Sequence, residues 1–228
     1  MQTRRTRAVF FDAGNTLFTE RRPRAQVYAE VARLHGLVVS AEELAEAMRA
    51  AHQTLPRLVD GAFRYTEPWF RRFIETVFQS LGHRSLPIGL VEELFRRFRD
   101  AGTFAVFPDV SPTLVELRAR GLVLGVISNW TDDLPSLLQQ TGLLPSFAFV
   151  LVSAVERVEK PDPEMFRRAL KRAGVVATDA CVVGDRIDHD ILPATELGIG
   201  GFLLDRDGRH ESAPAAILRS LGELPGCL

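Results

Sequence analysis

A chain of 228 residues, 46% hydrophobic and 25% charged, has room for an α/β core of about 150 residues with an insert, and its composition excludes a disordered or fibrous protein. A formal net charge of -1 gives no overall pull toward nucleic acid or an anionic membrane. Two cysteines, Cys181 and Cys227, exclude a disulfide framework and suit a reducing cytoplasm, and only Lys160 and Lys171 are available for any lysine-dependent step.

The basic segment Met1–Arg7 leads straight into the apolar run Ala8–Phe11, which is too short for a signal-peptide core or a membrane span. This run reads as a buried strand that carries Asp12 to the tip of a sheet, with Ala13, Gly14, Asn15 and Thr16 curling around whatever binds there. After Leu17 the hydrophobic period becomes helical. Pro23 suits a first turn, and Val27, Val31 and Leu34 recur at helical spacing up to Gly36. Ser40 with Glu43 spells a capping box for a second helix. Thr66 opens a third, with a broad stripe from Trp69 through Phe73 and Val77 to Leu81. A fourth is expected from about Ile88 to Arg99. Residues 19–98 are therefore expected to form an all-helical insert in a domain made of residues 1–18 and 99–228.

From Pro108 onward helices and strands alternate. Strands are expected over Leu122–Ile127, Phe149–Val152, Ala180–Val183 and Gly201–Leu204. Helices are expected near 111–120, 133–140 and 163–173, and up to Leu197. The alternation implies right-handed crossovers and a Rossmann-like parallel sheet covered by helices on both faces. An insert between the first two strands is expected to close over Asp12.

Four strands end in polar residues: Asp12; Ser128-Asn129; Lys160-Pro161, beyond the third; and Gly184-Asp185, with Asp188 and Asp190 close behind. Singly, a strand-ending Ser-Asn reads as a turn or helix cap, and a lone Lys-Pro as surface. Together, at the tips of one sheet, they read as a site. A carboxylate attacks phosphorus only if the substrate's negative charge is neutralised, which a magnesium ion on Asp12 and Asp185 would do. Ser128 and Lys160 would hold the remaining phosphoryl oxygens, and attack by Asp12 would give an aspartyl-phosphate that water hydrolyses.

At this point the chain resembles the haloacid dehalogenase-like hydrolase superfamily. Phe11-Asp12 to Leu17 looks like its first motif and Ser128-Asn129 like its second. Glu159-Lys160-Pro161-Asp162-Pro163 looks like the third, and Gly184-Asp185 to Asp190-Ile191 like the fourth. The helical insert resembles the first cap type of that superfamily. The resemblance implies Asp12 as nucleophile and magnesium ligand, Asp185 as ligand, Asp190 as a supporting ligand, and the Gly14 carbonyl as a further one. It also implies that Ser128 and Lys160 bind phosphate, that Asn129 binds substrate or orients the site, and that Thr16 contacts the flap or the nucleophile.

One position departs from the pattern. Family phosphatases usually carry a second Asp two residues after the nucleophile, which protonates the leaving group and later activates water; here it is Gly14. Two branches without that Asp bear comparison. Phosphonate hydrolases need a cap lysine, and none precedes Lys160. The 2-haloacid dehalogenases share Asp12-Ala13 and Thr16-Leu17 but work without metal, which would leave Asp185, Asp188 and Asp190 uncompensated beside Asp12. A third alternative is a catalytically impaired binding or regulatory protein. The overall expectation is a cytoplasmic, magnesium-dependent phosphatase of a small phosphorylated metabolite, monomeric or homodimeric, with no nucleic-acid or membrane partner.

Overall fold

Short apolar runs with few polar interruptions become strands buried on both faces, and the chain uses several of them. In the computed structural model, which describes residues 6–228, Ala8–Phe11 (β1) is buried at all four positions. The basic residues Met1–Arg5 lie outside the described residues. The other strands of the main sheet are Val123–Ser128 (β2), Phe149–Val152 (β3), Ala180–Gly184 (β4), Gly200–Leu204 (β5) and Ala216–Leu218 (β6). Their order is β6-β5-β4-β1-β2-β3, and every pairing is parallel. The fold is α/β and Rossmann-like. Phe10, Ile127, Leu151, Phe166, Val182 and Leu203 are at most 2% exposed and share one core cluster. Strand β6 was not among the sequence expectations, because its three residues follow a polar loop and offer no alternation to read.

Capping explains where the helices of this unit begin and end. Helix Pro163–Ala173 has proline in its first turn, an Asp162 side chain accepting from the Glu164 N–H at 2.9 Å, and Gly174 in the left-handed region at its end. The single helix expected before Leu197 is instead a π-helical turn, Ile187–Ile191, followed by helix Leu192–Glu196. The Arg186 carbonyl accepts from both the Asp190 and Ile191 N–H groups, at 2.9 and 3.3 Å, which widens the turn.

The described chain divides into two compact units. One holds the sheet: the chain up to Thr19, Val106–Trp130 and Leu134–Leu228. The other comprises Glu20–Ala105 with Thr131–Asp133. Residues 99–105 go with the helical unit, where the Thr103 hydroxyl donates to the Arg97 carbonyl at 2.5 Å and the Thr103 carbonyl accepts from the Arg21 N–H at 2.9 Å. Its helices are Arg24–Leu34, Ala41–Thr54, Glu67–Ser80 and Leu90–Arg99. The Ser40–Glu43 capping box forms, with the Glu43 carboxylate accepting from the Ser40 N–H at 2.9 Å. Trp69, fully buried, stacks on Phe73 at 5.6 Å and donates its Nε1 hydrogen to the Pro56 carbonyl at 2.9 Å.

Two expectations for this unit need correction. It is not all-helical: Leu58–Val59 pairs antiparallel with Ala62–Phe63 around Asp60 and Gly61, both at positive φ. Asp-Gly is the turn that a two-residue hairpin favours. The fourth helix starts at Leu90, because Gly89 adopts a left-handed conformation (φ 86°) and leaves Ile88 fully exposed. Among the described residues no helix is long and apolar enough to cross a membrane.

Candidate active site

The sheet register decides which side chains meet. Phe11 stands opposite Val126 of β2 and Val183 of β4, so Asp12, Ser128 and Asp185 emerge next to one another at the carboxyl ends of three adjacent strands. Strand order reverses at β1, with β2 and β3 on one side and β4 to β6 on the other, and such a reversal opens a crevice for ligands.

Lys160 sits at the centre of this crevice. Its Nζ donates to Asp12 Oδ1 at 2.6 Å and to Asp190 Oδ1 at 2.5 Å, with Lys160 only 4% exposed. Burial works against the ammonium, but the charges of Asp12 and Asp190 outweigh it and raise the Lys160 pKa, so the group stays protonated. Asn129 fixes the lysine from behind. Its Nδ2 donates to the Lys160 carbonyl and its Oδ1 accepts from the Lys160 N–H, both at 2.8 Å. With both ends of its amide bonded to the backbone of one residue, Asn129 positions Lys160, the orienting role expected of it.

Asp190 is held equally firmly, at 1% exposure, with its Oδ2 accepting from the Arg186 N–H at 3.1 Å. It lies so close to β4 that a Cβ on Gly184 would come within 2.4 Å of its carboxyl carbon. Both Asp190 oxygens have protein donors, which gives it a supporting place in the cluster. Ser128 Oγ, 2% exposed as a residue, donates to Asp12 Oδ1 at 3.4 Å. Asp185 is half-buried; burial and the charges of Asp12 and Asp190 push its carboxyl up to about 7, against the pull of Lys160 and a hydrogen bond from Asn15.

Carboxylate oxygens of Asp12, Asp185 and Asp190 all lie within 4.8 Å of one another. Three carboxylates face one ammonium, a formal charge of about -2 when all are ionised. Hard oxygen donors with that surplus fit a divalent cation such as magnesium. Asp12 and Asp185 would hold it, with the Gly14 carbonyl close by in sequence.

The loop after β1 explains the remaining positions. Asn15 takes the left-handed conformation (φ 58°), its N–H donating to the Phe18 carbonyl at 2.7 Å. Its side chain, not singled out as functional in the sequence, reaches Asp185 Oδ2 at 3.5 Å and accepts from Thr19 Oγ1 at 3.2 Å. Thr16 is fully buried and its hydroxyl has no hydrogen-bond partner among the described residues. Gly14 is not at positive φ, and a Cβ there would meet only the Trp130 ring, at 3.4 Å. Trp130 packs edge-on against Phe18 at 5.6 Å and walls this side of the loop. Arg186 and His189 both turn to Asp188, the former through two hydrogen bonds of 3.1 and 2.8 Å and the latter at 3.0 Å. In the helical unit Arg22 pairs with Glu30 at 2.6 Å and Arg24 with Glu20 at 2.5 Å.

These features agree with comparisons to known proteins. The model of the family "haloacid dehalogenase-like hydrolase" matches residues 6–198. Haloacid dehalogenase-like hydrolase domain-containing protein 3 of Danio rerio is 35% identical over 97% of this chain and 96% of its own. Phosphoserine phosphatase of Thermus thermophilus is 32% identical over 78% of this chain and 71% of its own. Among solved structures, a HAD phosphatase from Thermococcus onnurineus is 26% identical with a TM-score of 0.74, covering 97% of both chains. A 2-haloacid dehalogenase from Pseudomonas syringae is 28% identical with a TM-score of 0.70, again over 97% of both. Phosphatases and dehalogenases thus both stand among the relatives, and on the match across residues 6–198 the chain belongs to the haloacid dehalogenase-like hydrolase family.

Proposed function

We propose that this hydrolase is a magnesium-dependent phosphatase of a small phosphorylated metabolite, with Asp12 as nucleophile. The observation that carries the reading is the surplus of negative charge: Asp12, Asp185 and Asp190 lie within 4.8 Å, with Lys160 as the ammonium bonded among them. Without a cation such a cluster repels itself and repels an anionic substrate. Magnesium on Asp12, Asp185 and the Gly14 carbonyl would neutralise the phosphoryl group as an anionic nucleophile approaches.

The protein's own residues would do the rest. Lys160 and Ser128, both donating to Asp12 Oδ1, fix the rotation of that carboxylate and stand where phosphoryl oxygens would bind. An Asp12 oxygen attacks phosphorus, the bond to the leaving oxygen breaks, and water later cleaves the aspartyl-phosphate to restore Asp12. Gly14 offers no proton to the leaving oxygen, so the site favours groups that depart as stable anions, such as aryl or acyl phosphates. The dehalogenase reading draws on the similarity to the Pseudomonas syringae enzyme, but a metal-free mechanism leaves Asp185 repelled by Asp12 and Asp190 against only the partial pull of Lys160.

Protein stripped with chelator should lose phosphatase activity toward aryl phosphates and regain it with magnesium. Asp185→Asn should abolish the magnesium response while raising the melting midpoint in chelator, since it removes a repelling charge. Full turnover of a 2-haloacid in chelator, with none of any phosphate ester, would move the protein to the dehalogenase branch.

A further inference from the structure

We propose that Arg206 is a positioning residue for the nucleophile loop, tying it to the segment where the chain re-enters the α/β unit. Strand β5 ends at Leu204, and two residues later the Arg206 guanidinium donates through Nη1 to Asp109 Oδ2 at 2.7 Å and through Nη2 to Asp109 Oδ1 at 3.0 Å. The same Nη2 donates to the Thr16 carbonyl at 3.0 Å. The guanidinium carbon lies 3.9 Å from the centroid of the Phe107 ring. Immediately beyond, the Leu17 carbonyl accepts from the Phe107 N–H at 3.1 Å. Two consecutive carbonyls of the loop are therefore held from outside, one by Arg206 and one by its stacking partner.

Within the loop, the Leu17 N–H donates to the Ala13 carbonyl at 2.8 Å and the Asn15 N–H to the Phe18 carbonyl at 2.7 Å. These bonds close the turn on itself, and the Asp12 N–H, donating to the Val183 carbonyl at 2.9 Å, fixes its start to the sheet. Arg206 holds the middle of the turn at Thr16, and Asp109 makes that hold rigid. Asp109 Oδ2 also accepts from Ser220 Oγ and from the Leu221 N–H, each at 2.7 Å. Burial opposes the charge on Asp109, yet Arg206, Ser220 and Leu221 together hold its carboxyl below the usual range. The Arg206 and Asp109 side chains are 17% and 15% exposed, so solvent screens the pair little. The fork, the bifurcated donation and the ring stacking all need a guanidinium, and a lysine would reproduce only its charge.

The inference rests on the proposed function only in naming Asp12 the nucleophile; the ordering of the loop is independent of it. Native-state hydrogen exchange on the full chain in chelator gives the first test. Arg206→Gln should speed exchange in the segment 12–18 by about tenfold or more, with Arg206→Lys intermediate. Ser220→Ala, which removes a donor from Asp109 but none from the loop, should leave that segment unchanged. Equal exchange in the parent and both Arg206 variants overturns the proposal, and Arg206→Lys keeps the test open if Arg206→Gln does not fold. Calorimetric magnesium titration of the same proteins is the second readout. An affinity about tenfold weaker in Arg206→Gln, and unaltered in Ser220→Ala, is expected of a residue that sets ligand geometry. Unchanged affinity with a loosened loop overturns the link to the site. If the parent binds no magnesium, the proposed function falls and the exchange result alone decides the role of Arg206.

Discussion

The helical unit and the strand-tip site handle charge in opposite ways. In the helical unit Arg71 pairs with Glu67 at 2.9 Å and Glu92 at 2.8 Å, Arg99 pairs with Glu67 at 2.8 Å, and Arg97 with Glu93 at 2.9 Å. Most of these side chains are partly or largely exposed, and surface pairs of this kind contribute about 0–1 kcal/mol each. At the strand tips one lysine, 4% exposed, faces three carboxylates. The first arrangement is balanced by itself, while the second carries a surplus of negative charge. Cohesion and chemistry therefore reside in different places, and substitutions should separate them.

The largest effect on cohesion should come from Trp69→Ala. Trp69 is fully buried, stacked on Phe73 and bonded to Pro56, and its truncation should cost about 3–5 kcal/mol in urea unfolding. A value below about 1 kcal/mol would mean that the helical unit does not depend on its aromatic centre.

Gly14→Asp should act on chemistry first: a Cβ there meets only the Trp130 ring at 3.4 Å, so the backbone accepts a side chain, while the added carboxylate increases repulsion in the metal-free cluster. With a general acid restored, turnover of alkyl phosphates should rise by about 10- to 100-fold, part of the range such groups supply, and aryl phosphates should gain less. Equal alkyl and aryl rates in the parent would show that another acid already acts.

A smaller effect is expected at Asp205, just beyond β5 and next to Arg206. Burial works against its charge, but the His210 and Arg209 N–H groups and Arg219 hold its carboxyl down at about 2. A depressed carboxyl adds stability above its unfolded pKa, near 4, and that contribution fades as pH falls toward 2. The urea midpoint of the parent should exceed that of Asp205→Asn at pH 5, with the gap closing between pH 4 and about 2. A gap that persists through that window would assign the effect to packing.

Legibility in the sequence followed the range of the interactions involved. Strands β1 to β4 and the Ser40 capping box rest on neighbours a few residues apart, so apolar runs and spacing announce them. Asp12, Ser128 and Asp185 were readable because each stands at the end of a strand, and a parallel sheet gathers such points; Lys160 follows β3 only after the short helix Ser153–Glu156. The Leu58–Phe63 hairpin had a local signal, Asp60-Gly61, which the surrounding helical periodicity obscured. Asn15 against Asp185 and Arg206 against Thr16 had none. Those contacts join residues 170 and 190 positions apart, and only the folded sheet brings them together.

Two glycines of the site differ in what they would let a drifting lineage try. At Gly14 a Cβ fits, so a side chain can enter by one substitution while the backbone stands. At Gly184 a single extra carbon would strike the Asp190 carboxyl at 2.4 Å, displacing in turn Lys160 and the carboxylate of Asp12. Descendants of this sequence are thus free to try side chains at the first position, whereas the spacing of the charges is inherited whole or not at all.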